Sequence, residues 1–165
     1  MSDIAINNSS ELQGKYLTFY VDSQLYGIPI TDVVQIVGIQ EMTSVPDYPH
    51  YAKGIINLRG NIIPVIDIRL HMGKPEIAYD DRTCTIITNI NGNFFGFIVE
   101  QVDEVLDVQP DEIAPPPKTA GTGMKLLTGI IRLELPNGEE KVILALESAK
   151  LLGESEMNSL LCQVG

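Results

Sequence analysis

Short apolar runs and tight polar turns alternate along the whole chain. The runs are rich in β-branched and aromatic residues and are bounded by Gly, Pro, Asn or Asp. This pattern is typical of β-strands, because such side chains fit a pleated, half-buried surface. It predicts an all-β fold with short helical turns at 31–35, 67–72 and 147–152. The predicted strands are 16–21, 24–30, 36–41, the two arms of a hairpin within 54–69, 84–90, 94–99, 102–108, 127–135 and 141–146.

The segment 54–69 carries the clearest hairpin pattern. Two β-branched runs flank a polar tip, and Gly60-Asn61 is typical of a two-residue reversal with positive φ. Arg59 then lies at or next to the turn, either solvated or offered to a partner, because a lone charge is costly to bury. Pro64 cannot donate a ladder hydrogen bond, so its strand is expected at an edge or at a bulge.

The chain contains a weak internal repeat. Residues 25–30 align with 94–99 at an offset of 69, and at the same offset 33 meets 102 and 36 meets 105. Residues 54–58 align with 129–133 at an offset of 75. We therefore expect two similar all-β halves of about five strands each, which share a core because each is small alone. Short, regularly punctuated strands favour barrels over open sheets. The predicted domain spans 14–152, between tails at 1–13 and 154–165.

Composition excludes several classes of function. A net charge of −11 argues against non-specific binding to nucleic acid or to anionic membranes, since both require a basic surface. No signal peptide or membrane span is apparent, and no direct membrane insertion is expected. The two cysteines, Cys84 and Cys162, lie far apart without metal spacing, which predicts free thiols in a reducing cytoplasm.

Catalytic motifs are also missing from the sequence. It contains no nucleophile elbow, no zinc-protease motif and no phosphate-binding loop. His50 and His71 are expected in surface or packing roles, and the acids of 100–107 read as one solvated face. These patterns favour a binding module over an enzyme, with no catalytic residue, cofactor or metal site expected.

Basic residues concentrate around the hairpin. Residues 53–74 carry Lys53, Arg59, Arg69 and Lys74 against Asp67 alone, a basic island in an acidic protein. Charge leaves two interpretations open. The arginines could pair with the molecule's own acids, or they could form a site for an acidic or helix-ended partner.

Several motifs together resemble the CheW family. They are Tyr26-Gly27-Ile28-Pro29-Ile30, 33–36, Pro49, Lys53-Gly54, Asn57-Leu58-Arg59-Gly60, Pro64, Asp67-Ile68-Arg69, Gly96-Phe97-Ile98-Val99, 113–117 and Leu127-Thr128-Gly129. The resemblance covers roughly residues 14–152. It implies two intertwined five-stranded β-barrels of SH3-like character, in agreement with the repeat.

The resemblance also implies a function. CheW proteins are non-enzymatic adaptors that link chemoreceptors to the histidine kinase CheA in bacterial chemotaxis. In that family the receptor's helical hairpin tip lies between the two halves, and the regulatory domain of CheA docks barrel to barrel. Alternating copies of the two proteins form rings in receptor arrays, so the chain is expected in the cytoplasm, recruited to membrane-associated arrays.

Partner-binding residues are carried over by the same resemblance. Arg59 matches the family's signature arginine, whereas the position of Gln35 is Glu in some relatives, which weakens an expected charge contact there. Val102 and Val105 are receptor-groove candidates as repeat-mates of 33 and 36. The residues expected at or near partner surfaces are Val33, Val34, Gln35, Ile36, Asn57, Leu58, Arg59, Gly60, Val102 and Val105.

Two alternative functions stay open at this point. The chain could be a CheW-like paralogue that serves a pilus-motility or other chemosensory system. It could also be a sensor that binds a small molecule in the groove between the barrels.

Overall fold

A computed structural model describes residues 14–116 and 127–162. Within these ranges the chain forms eleven strands and three short helices. The strands are β1 (Lys15–Val21), β2 (Gln24–Pro29), β3 (Val33–Gly38), β4 (Ala52–Leu58), β5 (Asn61–Asp67), β6 (Cys84–Ile90), β7 (Asn93–Val99), β8 (Gln101–Asp107), β9 (Ile113–Ala114), β10 (Leu127–Glu134) and β11 (Glu140–Leu146). The helices are α1 (Ile68–His71), α2 (Ser148–Leu151) and α3 (Glu154–Cys162), and 3-10 turns occupy Ile30–Asp32 and Pro110–Glu112.

The strands form two sheets, and each sheet contains strands from both halves of the sequence. One sheet has the order β8-β1-β2-β11-β10-β9, and the other has the order β3-β6-β7-β5-β4. Each half of the sequence therefore gives its first two strands to the sheet that the other half completes. Parallel pairing of β2 with β11 and of β5 with β7 makes the two joins. The prediction of two intertwined SH3-like barrel halves is confirmed.

The internal repeat is visible in the strand register. Gly27 lies opposite Ala145, and Gly96 lies opposite Val65. A bridge between Thr43 and Ile55 recurs as the pairing of Ala114 with Ile130. The same two kinds of strand pairing thus occur twice, once in each barrel.

Three apolar clusters form the core. One cluster lies within the β3–β7 sheet and includes Ile56 and Ile63, and another lies within the opposite sheet around Ile131 and Ile143. The largest cluster contains residues from both sheets, among them Phe19 of β1 and Phe97 of β7. We call this largest cluster the shared core. It explains how two halves, each small for a core, stabilise one another.

Three local predictions need correction. The helical turn expected at 31–35 lies at Ile30–Asp32, and Val33 already begins strand β3, because β-branched residues favour extended backbone. The hairpin turn is Arg59-Gly60, not Gly60-Asn61. Residues 113–114 form a short strand within the expected loop, whose portion from 117 to 123 lies outside the described residues.

The chain ends also differ from a simple pair of tails. The segment interpreted as a weak amphipathic tail from residue 154 contains helix α3, which packs on the shared core through Leu160. The N-terminal tail at 1–13 lies outside the described residues. The expected helical turns at 67–72 and 147–152 are present as α1 and α2, and Asp67 caps α1 by accepting a hydrogen bond from Leu70 N at 3.3 Å.

Candidate protein-binding surfaces

The tip of the β4–β5 hairpin holds Arg59 in an unusual backbone conformation. Leu58 pairs with Asn61, so Arg59 and Gly60 form the two-residue loop, with φ of 53° and 86°. Two positive φ values are the mark of a type I′ turn, which matches the twist of the flanking strands. The Asn57 side chain accepts a hydrogen bond from Gly60 N at 3.0 Å. A large residue in the left-handed region is uncommon, and such strain is concentrated at functional sites.

An exposed aliphatic side chain lies beside this tip. Ile62 is 46% exposed and lies directly opposite Asn57, so the two side chains share the outer face of the hairpin. Leu58 packs instead toward the cluster inside the barrel. We define the hairpin face as Asn57, Arg59, Gly60 and Ile62. Ile62 is not among the residues predicted from the sequence. Ile62 and Ile63 are neighbours in one strand and point to opposite faces, so the burial of Ile63 places Ile62 on the outside.

The predicted residues of β3 are buried or half-buried. Val33 and Ile36 are each 1% exposed, and Gln35 is 8% exposed. Val34 is half-buried against the cluster of its own barrel. In the isolated chain Val33, Gln35 and Ile36 are therefore closed to solvent, and the role of the four residues at a partner surface stays a prediction.

A β-bulge brings Val102 and Val105 onto one face. Leu17 pairs with Val105 and Phe19 pairs with Val102, so Thr18 alone faces two residues of β8. Residues three apart in a regular strand would point to opposite sides, and the extra residue restores the match. Both valines therefore share the side of Leu17 and Phe19, at the rim of the shared core. Val102 is half-buried and Val105 is 44% exposed; we call this pair the β8 face.

The buried Thr18 side chain holds the bulge. Its hydroxyl accepts a hydrogen bond from Glu104 N at 3.1 Å and lies 3.0 Å from Glu104 O as donor. Asp103 Oδ2 offers a second acceptor at 3.1 Å. Thr18 was not a sequence-predicted site residue, but a polar residue inside an apolar strand is a recognisable signal.

Strand β3 carries the same irregularity at the repeat positions. Its pairing with β6 shifts between Val33 and Gln35, after which Ile36 lies opposite Ile86. Residues 33 and 36 therefore share one side of β3, as Val102 and Val105 share one side of β8. The β3 pair is buried, whereas in the β8 pair Val102 is half-buried and Val105 is exposed.

Most of the basic island pairs with the protein's own acids. Arg69 is buried and donates to Pro75 O at 2.9 Å, to Asp22 at 3.2 Å and to Glu100 at 3.2 Å. Lys74 reaches Asp22 at 3.0 Å, and Lys53 pairs with Glu76. We call Arg69, Asp22 and Glu100 the clasp. Hydrogen bonds from Lys74 and then Arg69 hold the pKa of Asp22 below its usual value.

The acidic stretch of β8 is paired as well. Asp103 and Glu104 contact Lys141 at 3.2 and 3.1 Å, and Asp107 contacts Lys15 at 2.6 Å. These acids belong to structural ion pairs at the barrel edge rather than to a wholly solvated face.

The described residues hold no cluster suited to a metal ion. Across 14–116 and 127–162, no group of three His, Cys, Asp or Glu converges. Cys84 is a free thiol, and burial raises its pKa. No helix in these ranges is long and apolar enough to cross a membrane.

Comparisons with known proteins agree with this architecture. A profile of the CheW-like domain matches residues 15–156. The chain is 33% identical over 144 residues to the chemotaxis protein CheW of Klebsiella aerogenes, covering 87% of this chain and 84% of that protein. It is 30% identical over 162 residues to CheW of Treponema pallidum, covering 95% and 91%.

A solved structure is similar in fold as well as in sequence. The scaffolding protein TtCheW from Thermoanaerobacter tengcongensis aligns with a TM-score of 0.72 at 33% identity. The alignment covers 81% of this chain and 88% of that chain. The chain therefore belongs to the CheW-like family of non-enzymatic chemotaxis scaffold proteins.

Proposed function

We propose that this protein couples chemoreceptors to the histidine kinase CheA by binding both at once. The observation that carries the proposal is the presence of two exposed aliphatic residues, Ile62 and Val105, on different sheets of one scaffold. The hairpin face belongs to the β3–β7 sheet, and the β8 face lies at the edge of the other sheet. Two partners on separate faces would not compete for the same surface.

The hairpin face suits the regulatory domain of CheA. It combines an exposed aliphatic residue, Ile62, with a long cationic side chain on a conformationally fixed turn. Arginine beside an apolar anchor is a frequent composition of energetic centres in interfaces. A two-residue turn also loses little entropy on binding, because its backbone is already ordered.

The β8 face suits the helical tip of a chemoreceptor. Val102 and Val105 form a short apolar strip on the rim of the shared core, and the acids of the same strand are engaged in ion pairs. An amphipathic helix can lay its apolar side into such a groove between two packed units. Binding there would recruit the chain from the cytoplasm to membrane-associated receptor arrays.

Substitution of Arg59 tests the kinase face. Arg59→Asp keeps a residue type that tolerates positive φ, and it reverses the charge. We expect about 30-fold weaker binding to the CheA regulatory domain, the loss that truncation of an interface anchor typically causes. Arg132→Asp is the matched control, because Arg132 is exposed on β10, the repeat counterpart of β4. Isothermal titration gives the affinities.

Two results would count against this assignment. Unchanged binding and unchanged kinase activation by Arg59→Asp would remove Arg59 from the site. An equal loss in both variants would indicate a general charge effect. Thermal unfolding of each variant shows whether Arg59 acts through the interface or through the stability of the turn.

Substitution of Val105 tests the receptor face. Val105→Glu should weaken binding to a receptor tip fragment about 10- to 100-fold, because a buried valine contributes about 1.5–3 kcal/mol. Val142→Glu is the control, since Val142 is 40% exposed on β11 and Val105 is 44% exposed on β8. Similar affinities for both variants would exclude the β8 face as the receptor site.

A small-molecule sensor makes a different prediction. A soluble ligand that raises the melting temperature in the absence of protein partners would favour that function instead.

A further inference from the structure

Helix α3 packs on the shared core through one narrow side. Leu160 is fully buried in that cluster, and Met157 and Leu161 pack against it. The other side of the helix is solvated, with Ser155, Asn158 and Ser159 exposed. The nine residues of α3 are too few for a stable helix in isolation, so its order depends on this contact.

Three polar side chains of the neighbouring segments bind the helix. Tyr51 donates a hydrogen bond to the Glu156 carboxylate, and His71 Nε2 lies 3.3 Å from the same group. The Tyr48 hydroxyl donates to Leu160 O at 2.7 Å, one of the helix's last carbonyls, which have no partner within the helix. Tyr51 and His71 are held edge to face, with ring centroids 4.7 Å apart. We call Tyr48, Tyr51 and His71 the seat of α3.

The seat recognises features that any amphipathic helix can carry. Its polar groups bind the Glu156 carboxylate and the Leu160 carbonyl, and the Leu160 side chain enters the shared core, against which Tyr48 and Tyr51 also pack. The described residues of the first half contain no counterpart of α3. Helices α1 and α2 end in equivalent places, but after Gly73 the first half continues without a helix as far as β6.

The two halves also differ in the burial of their repeat-related residues. Val33 and Ile36 are closed off in the cluster that contains Leu160, whereas their repeat-mates Val102 and Val105 form an open rim of that cluster. Among the described residues, the shared core thus has a buried part that includes Leu160 of α3 and a more exposed edge at β8.

We propose that α3 occupies in cis part of a helix-docking groove on the shared core, and that a receptor helix displaces it on binding. This regulation of the receptor site rests on the proposed function. The displacing helix carries an acidic residue and, four positions later, an aliphatic residue, matching Glu156 and Leu160. Release of α3 would expose the seat and the part of the shared core that Leu160 fills.

Hydrogen exchange and receptor titration test the proposal in the full chain. Leu160→Asp removes the apolar anchor, and we expect the α3 amides to lose protection and the receptor tip fragment to bind about tenfold more tightly. Asn158→Asp adds the same charge on the exposed side of the helix and should change neither quantity. In the wild type, addition of the receptor fragment should itself deprotect α3.

Each alternative outcome is decisive. If the receptor binds while α3 stays protected, and Leu160→Asp binds no better, α3 is a fixed part of the fold and the proposal is wrong, although the adaptor function stands. If neither wild type nor Leu160→Asp binds receptor, both fail together. If Leu160→Asp unfolds the whole domain, Tyr51→Phe takes its place, because it removes only the hydrogen bond to Glu156. The proposal is then wrong if Tyr51→Phe changes neither the receptor affinity nor the hydrogen exchange of α3.

Discussion

Gly54 occupies a backbone position that other residue types cannot take without rearrangement. Its φ is +145°, and a Cβ there would lie 2.3 Å from Thr43 O. The close approach exists because Thr43 and Ile55 exchange two backbone hydrogen bonds of 2.9 Å. These bonds tie the loop that precedes β4 to the hairpin that presents Arg59.

We expect Gly54→Ala to lower the free energy of unfolding by about 3 kcal/mol, because both the clash and the positive φ penalise a side chain. Gly60→Ala is the control: its φ is +86°, but a Cβ there would meet nothing within 4 Å. Its loss should be near 1 kcal/mol. Urea unfolding followed by circular dichroism measures both, and equal losses would show that the approach to Thr43 contributes nothing.

The turn at Arg59 differs by one residue from the turn that the sequence predicts. The sequence predicted a tight turn and placed Arg59 beside it, but it assigned the positive φ to Gly60 and Asn61. Asparagine is the commoner residue there, so local propensity favoured the wrong register by one residue. The pairing of Leu58 with Asn61 decides the turn, and this pairing depends on which side of each strand faces the barrel.

At the scale of elements, the bulge in β8 determines what the strand presents. Without the extra residue opposite Thr18, one of Val102 and Val105 would point away from the rim of the shared core. The sequence repeat identified both residues as a pair. It did not indicate that they share a face, because an odd spacing in a regular strand implies the opposite.

Thr18→Val tests whether the hydroxyl holds this bulge. Valine keeps the shape but leaves Glu104 N without its acceptor, so we expect a loss of about 1–3 kcal/mol in stability. Receptor affinity should fall with it, since Val105 is no longer fixed. Thr128→Val is the control, because Thr128 donates to Ala145 O at 3.2 Å far from β8 in sequence and in the sheet. Equal receptor affinities in the two variants would contradict the role of Thr18.

For the whole molecule, the clasp connects elements of both sheets. Asp22 lies in the turn between β1 and β2, Glu100 lies between β7 and β8, and Arg69 belongs to α1, directly after the hairpin strand β5. One buried guanidinium thus links the segment that leads to the hairpin face with the residue that precedes the β8 face. Relative motion of the two barrels would break these contacts.

Arg69→Met should lower the melting temperature by about 2–4 °C at pH 7, because Asp22 and Glu100 lose a shared donor. The depressed pKa of Asp22 stabilises the fold above the ordinary carboxyl pKa of about 4, and this contribution disappears as the pH falls through the lower folded value. The difference between variant and wild type should therefore narrow below about pH 4. A constant difference down to pH 3 would assign the effect to packing.

Lys53→Met is the control for the clasp. Its pair with Glu76 joins two neighbouring segments of the same half, and Glu76 is largely exposed. Surface pairs of this kind contribute little, so we expect almost no change in the melting temperature at either pH.

The motifs of the sequence indicate the family, and its apolar pattern predicts most of the strands, the approximate places of the turns and the two-half repeat. These follow from local rules, since hydrophobic alternation and turn chemistry act over a few residues. The partner-binding roles remain predictions, and the substitutions of Arg59 and Val105 test one residue of each exposed face. They are predicted for Val33, Val34, Gln35, Ile36, Asn57, Leu58, Arg59, Gly60, Val102 and Val105. The burial of 33, 35 and 36 could not be predicted, because it depends on which elements cover β3 in three dimensions.

The way in which the two halves combine depends on long-range packing. Strand exchange, the bulge opposite Thr18, the clasp and the docking of α3 all join residues far apart in sequence, such as Arg69 with Asp22 and Tyr48 with Leu160. Such contacts form because each half cannot bury its apolar surface alone, and the shared core then selects the pairings that bury it. The charge pattern could not assign Arg69 to the interior, since pairing depends on that long-range arrangement.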